Sequence, residues 1–174
     1  MKKLVTSAKV TSTSLLKQAY WNIFNLINNR TNVPDQTDPT GARKFVYRRL
    51  PNISALNFKG FPFIVVDRTN QSKKKGTVSG TKSFLDYPFE IGVYSQDKDS
   101  DAEGDAKGID QNDEISDSIL ATLNSSSNKK TLISYGMALM DYDIDTSEDN
   151  DMVGKLVFIS TIRLNFKNNL TSTG

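Results

Sequence analysis

Between Leu85 and Val93 every second residue is apolar: Leu85, Tyr87, Phe89, Ile91 and Val93 alternate with Asp86, Pro88, Glu90 and Gly92. A period of two suits a β-strand with one face on a core and one toward solvent, and it does not suit a helix. The pattern returns near the C-terminus, where Leu156, Phe158, Ile162, Leu164 and Phe166 alternate while Val157 and Ile159 add apolar character to the other face. Apolar residues on both faces are what a central strand needs. A chain with these strands must build a sheet and then cover its apolar side.

Two segments have the periodicity to cover it. Leu15, Leu16, Ala19, Tyr20, Ile23, Phe24 and Ile27 recur at three- and four-residue spacing, which predicts an amphipathic helix capped by Ser12 or Ser14 and ended by Asn28-Asn29. Trp21 lies off the centre of that stripe and is expected half-buried. Ile115, Ile119, Leu120 and Leu123 line a second helix, with Asp110 or Asp113 as its cap and Ser125-Ser126-Ser127-Asn128 closing it. Residues 30–44, with Pro34, Asp35, Asp38, Pro39 and Gly41, read as a long loop. Phe45-Val46-Tyr47 predicts a short strand ended by Pro51. Phe61 to Val66 predicts a better one, which Pro62 confines to a strand start or an edge. The last third reads as a hairpin: Leu132 to Met140 outbound, 141–151 as the tip, 156–166 returning. Tyr94, Tyr135 and Tyr142 fall on strands in this reading.

The expected fold is one α+β domain over residues 1–174: a mixed, mostly antiparallel sheet, two helices packed on one face, and a long C-terminal β-hairpin. Residues 1–13 and 167–174 are expected to be flexible arms.

Composition narrows the chemistry. The 174 residues include no Cys and no His. That excludes disulfides, thiol nucleophiles, thiolate metal sites, imidazole bases and any Ser-His-Asp triad. Met1-Lys2-Lys3-Leu4-Val5 opens like a secretion signal, but Thr6 to Ser14 is polar where an apolar stretch is required. Cytoplasmic residence without a membrane segment is the expectation.

The net charge of +2 conceals a partition. Residues 97–114 hold eight acids against two lysines, and residues 141–151 hold six acids and no base, so each segment carries −6 and the rest of the chain +14. Such blocks mark solvated loops or contact surfaces. The acids singled out are Asp99, Asp101, Glu103 and Asp105 in the first segment and Asp141, Asp143, Asp145, Glu148, Asp149 and Asp151 in the second. Arg43, Lys44, Arg48, Arg49, Lys73, Lys74 and Lys75 form the candidate basic contact.

Other motifs fall short. Asp99, Asp101, Glu103, Gly104 and Asp110 mimic a calcium loop. However, Lys107 stands at its ninth place, Asp replaces the closing Glu, and a strand precedes it where a helix is needed. A solvated acidic loop is the better reading. Asp141 and Asp143 could in principle pair as acid and base, but nothing else converges on them. Gly76 and Gly80 lack the ending of a phosphate loop. The expectation is no catalytic residues, no metal and no cofactor.

One resemblance spans nearly the whole chain. It rests on the helix Leu15 to Ile27, the strand Phe61-Pro62-Phe63-Ile64-Val65-Val66, and the alternating strand Tyr87-Pro88-Phe89-Glu90-Ile91-Gly92-Val93-Tyr94. The acid-capped helix Glu114 to Leu123 and the hairpin through Met140-Asp141-Tyr142-Asp143, Leu156-Val157-Phe158 and Ile162-Arg163-Leu164-Asn165-Phe166 complete it. In this order the chain resembles the tail terminator, or tail completion, proteins of long-tailed bacteriophages, lambda-type members among them. The 30–44 loop, the 73–75 lysines and the 97–112 acidic loop depart from the family pattern. The resemblance implies a virion protein of the head-proximal tail, assembled in the host cytoplasm. It would form a hexameric ring that caps the tail tube, stops its polymerisation and joins it to the head-tail connector. DNA would pass through without sequence-specific binding. The acidic segments would then lie at a subunit or tube interface or line the DNA channel. Two other readings compete: another neck or tail tube protein, and a small DNA-binding domain using the basic surface.

Overall fold

The computed structural model describes residues 12–55, 58, 60–68, 76–78, 82–97, 107–149 and 156–171. Helix α1 (Ser12–Ile27) is followed by strands β1 (Val46–Tyr47), β2 (Phe63–Arg68), β3 (Gly76–Val78) and β4 (Lys82–Gln96). Helices α2 (Lys107–Asn124) and α3 (Ser126–Ser134) then lead to β5 (Ala138–Asp149) and β6 (Val157–Thr171). Five strands lie in the order β1-β2-β4-β6-β5, with β3 attached to β4. β1 runs parallel to β2 and every other pairing is antiparallel. The fold is α+β, as the periodicities require.

The alternation in β4 becomes two faces. Phe89, Ile91 and Val93 face the helices, opposite Leu164, Ile162 and Ser160 of β6. They join Ile64 and Val66 of β2 in one buried cluster with Ala19, Tyr20, Ile23, Phe24 and Ile27 of α1 and Ile115, Ile119 and Leu123 of α2. The Tyr20 hydroxyl donates to the Val66 carbonyl at 3.1 Å, fixing α1 across β2. At roughly 1.5–3 kcal/mol for each large apolar side chain removed from water, this cluster is the main stabilising term.

The opposite face of the sheet holds a smaller aromatic cluster. Phe63 stacks on Tyr94 with centroids 4.7 Å apart, meets Tyr47 and Phe58 edge-on and lies tilted against Phe61. The Tyr94 ring lies over Gly92: a Cβ added there would sit 2.7 Å from Tyr94 Cε2. Gly92→Ala should therefore push the ring off Phe63 and lower stability by about 1–2 kcal/mol. A urea midpoint and near-ultraviolet circular dichroism both read the change, and an unaltered spectrum and midpoint would contradict the packing described.

Four features differ from the sequence expectation. Among the described residues there are three helices, not two: the serine run that ends α2 also starts α3. The Ser125 hydroxyl accepts from the Asn128 backbone N–H as an N-cap, and Leu132 is a buried helical residue with Tyr135 at the C-cap, so neither lies on a strand. Secondly, α2 begins at Lys107, earlier than expected. Asp97 at the end of β4 accepts from the Gly108 backbone N–H at 2.7 Å and does the capping assigned to Asp110 or Asp113. Thirdly, residues 141–149 are strand β5, not a hairpin tip, because each pairs with β6, from Asp141 opposite Asn165 to Asp149 opposite Val157. Finally, residues 167–171 are no arm. β6 continues to Thr171 against the start of β4, since backbone pairing is indifferent to the polar side chains there. Residues 12 and 13 likewise belong to α1.

Candidate assembly surfaces

The two ends of the sheet carry opposite charge. β5 is an edge strand that pairs, among the described residues, with β6 alone. It holds five acids and no base. Asp141, Asp143 and Asp145 lie on the face away from the helices, opposite Asn165, Arg163 and Thr161. Arg163 reaches Asp143 at 3.4 Å, Asp145 at 3.5 Å and Glu90 of β4 at 4.0 Å, and the Asn165 amide donates to Asp141 at 2.7 Å. These contacts are exposed, and each contributes at most about 1 kcal/mol. One arginine thus serves several carboxylates, and the edge stays acidic.

The other face of β5 is apolar yet uncovered. Tyr142 and Ile144 stand opposite Leu164 and Ile162, on the helix side, but remain 47% and 39% exposed. α3 reaches the start of this strand and α2 its Thr146–Glu148 end, while Tyr142 and Ile144 between them stay half-exposed. Met140, at the β-bulge between Leu139 and Asp141, is 54% exposed. Tyr142 lies on a strand as expected, and Ile144, within the span expected as a tip, lies on the same strand. Their alternation with Asp141, Asp143 and Asp145 was the signal of an amphipathic strand. Glu148 is exposed on the helix side beside Asn112 and Asp113, and Asp149 ends the strand.

At the far end, β1 pairs, among the described residues, only with β2. Beside it runs an open groove of about 1250 Å³ lined by Lys44, Arg48, Arg49, Leu50, Tyr47 and Phe58, among others. The Lys44 ammonium lies 4.7 Å from the Tyr47 ring centroid, and the Arg48 guanidinium 4.8 Å from that of Trp21. Both are cation–π contacts that hold the charges at the groove wall. Burial, partly opposed by the Arg43 charge, raises the Tyr47 phenol above its ordinary value, and burial with the nearby charges of Glu90 and Asp67 does the same for Tyr94. Both stay protonated and neutral near neutrality.

Arg43 does not belong with these cations. Its side chain is 11% exposed and forks onto Asp35, whose side chain is fully buried, while donating to the carbonyls of Gly60, Phe61 and Pro62 at 3.0, 3.3 and 2.7 Å. Asp35 also accepts from the Thr37 N–H and hydroxyl, and Asp38 accepts from the Arg43 N–H. Arg30 adds a bond to the Asp38 carbonyl at 2.7 Å. The 30–44 loop is thereby organised from within, and Arg43 is a staple, not a contact residue. Burial by itself raises the Asp35 carboxyl, but hydrogen bonds from Arg43 and Thr37 and the Arg43 charge outweigh it and hold the group below its usual range.

Asp99, Asp101, Glu103, Asp105, Asp151, Lys73, Lys74 and Lys75 lie outside the described residues. Asp110, the last place of the calcium-like pattern, is an exposed residue in the first turn of α2. Among the described residues no three carboxylates converge on a metal-sized site, and no helix is long and apolar enough to cross a membrane. No protein-family model matches the sequence, and no curated protein matches it.

Proposed function

We propose that this chain is a structural virion protein of the tail-terminator kind: a subunit of a hexameric ring that caps a phage tail tube, ends its polymerisation and joins it to the head-tail connector. The supporting observation is the succession of elements. An amphipathic helix, a Pro-led strand, a long alternating strand, a helix with Asp110 in its first turn and a long C-terminal hairpin follow in the order that carries the family resemblance, with α3 inserted before the hairpin. Sheet edges of opposite sign suit head-to-tail contacts, which close into a ring when the rotation between neighbours permits. In this reading DNA passes through the ring, and the acids of β5 face a neighbouring subunit, the tube or the channel. Negative-stain microscopy of the purified protein tests it, and a six-fold ring is the expected result.

A second reading has one observation behind it: Lys44, Arg48 and Arg49 share a groove with aromatic rings, an arrangement compatible with a nucleic-acid backbone. Under it the protein is a monomer that retains duplex DNA on filters, with binding that falls steeply as salt rises.

A further inference from the structure

We infer that the acidic edge strand of one copy docks into the basic groove beside β1 of the next. This contact rests on the ring reading above and names the surfaces that would form it. Three observations converge.

The first is the groove's size. At about 1250 Å³ and open to solvent, it exceeds the usual 300–1,000 Å³ of small-ligand pockets and has room for a segment of chain. The second is the state of β5. Its twelve residues span about 40 Å with one edge unpaired among the described residues and a half-exposed apolar face, so it can extend a sheet and bury Tyr142 and Ile144 together. The third is charge. Two β5 strands brought edge to edge would set carboxylates against carboxylates, which disfavours a two-fold pair. Lys44, Arg48 and Arg49, against the single acid Asp67 on the same lining, offer the opposite sign at the opposite end of the same sheet. A patch that fits a different patch on an identical neighbour propagates head to tail, as a ring requires.

A charge swap tests the contact. One variant carries Asp141→Lys with Asp145→Lys. The other carries Lys44→Glu with Arg49→Glu and leaves Arg48 on Trp21. Thermal unfolding close to the parent's shows that each folds. Sedimentation velocity should find self-association weakened at least about a hundredfold in each variant alone. Mixed in equal amounts they should regain the parental assembly, because every contact in an alternating ring is then complementary. Rings from the parent and from both variants alone would overturn the docking and leave the ring reading standing. A parent that stays monomeric at high concentration would overturn both. Loss of DNA retention in Lys44→Glu/Arg49→Glu with self-association unchanged would also overturn the docking, assigning the groove to a polyanion.

Discussion

Replacing Arg43 with Met should destabilise the fold by about 3–5 kcal/mol, the cost typical of removing one partner of a buried ion pair. The side chain bonds a fully buried carboxylate and three consecutive carbonyls at once. Without it Asp35 keeps Thr37 and the more distant Arg30 guanidinium at 3.8 Å but loses its forked, hydrogen-bonded countercharge, and the 60–62 carbonyls leading into β2 lose their donor. Arg43→Lys should recover little, since an ammonium cannot fork onto Asp35 and reach three carbonyls. Removing both charges, as Asp35→Leu with Arg43→Met, should cost less than Arg43→Met alone, because no buried charge is then left unpaired. Chemical denaturation of the three variants checks the order. A loss below about 1 kcal/mol for Arg43→Met would contradict a buried staple.

The same pair sets a pH dependence. The folded-state carboxyls of Asp35 and Asp38 both lie below the ordinary 3.8. For Asp38 the causes are the Thr40 hydroxyl, the Arg43 N–H and, in smaller part, the Arg30 and Arg43 charges. A depressed carboxyl contributes stability that is complete above its unfolded value and disappears as pH falls through the folded one. Stability should therefore hold down to about pH 4 and drop below it, with a shallower drop in Asp35→Asn. Parallel acid limbs in parent and variant would remove Asp35 as the cause.

Asn112→Asp should be the second severe substitution. Asn112 is buried on α2, and its amide nitrogen lies 3.1 Å from the Val93 carbonyl, 3.1 Å from the Ser95 hydroxyl and 3.0 Å from the Phe158 carbonyl, spanning β4 and β6. The Ser95 hydroxyl in turn donates to the Gly108 carbonyl. A Cβ at Gly108 would come within 2.7 Å of the Phe158 ring, so α2 sits as close to the sheet as backbone allows. A carboxylate at 112 would face carbonyl oxygens in place of an amide donor. The expected loss is about 3 kcal/mol or more at neutral pH. Burial raises such a carboxyl, so relative to the parent at the same pH the deficit should shrink as pH falls toward 4 and the group protonates. Asn112→Ala should cost about 1–3 kcal/mol with no such pH dependence. Equal deficits for the two variants at every pH would contradict the assigned hydrogen bonds.

The sheet and the helices that cover it were legible because their signal is periodic. Phe89, Ile91 and Val93 repeat every two residues, Tyr20, Ile23, Phe24 and Ile27 every three or four, and all are buried together. α3 was not legible, because Ser126 to Ser134 has no apolar stripe and buries only Leu132. In β5 a run of acids masks the apolar alternation, although a return strand as long as β6 needs a partner of matching length. Lys167 to Thr171 carry no apolar alternation, and the backbone pairing that places them on β6 leaves no trace in the sequence. Arg43 was grouped with Lys44, Arg48 and Arg49 because sequence shows a charge without its surroundings. The nearby Asp35 and Asp38, within a loop of Pro and Gly, were the hint that it had a use at home. The surfaces proposed for assembly were half visible: the acids of β5 by count, its uncovered Tyr142 and Ile144 only from the sheet order.

The ring is the central claim, and particle mass with rotational symmetry tests it most directly. Subunits of 19.4 kDa closing six-fold give a particle of about 116 kDa. Mass measured over a range of protein concentrations, with symmetry read from negative-stain class averages, should return that particle. A 19.4 kDa species at every concentration, with no ring on the grid, would contradict the account.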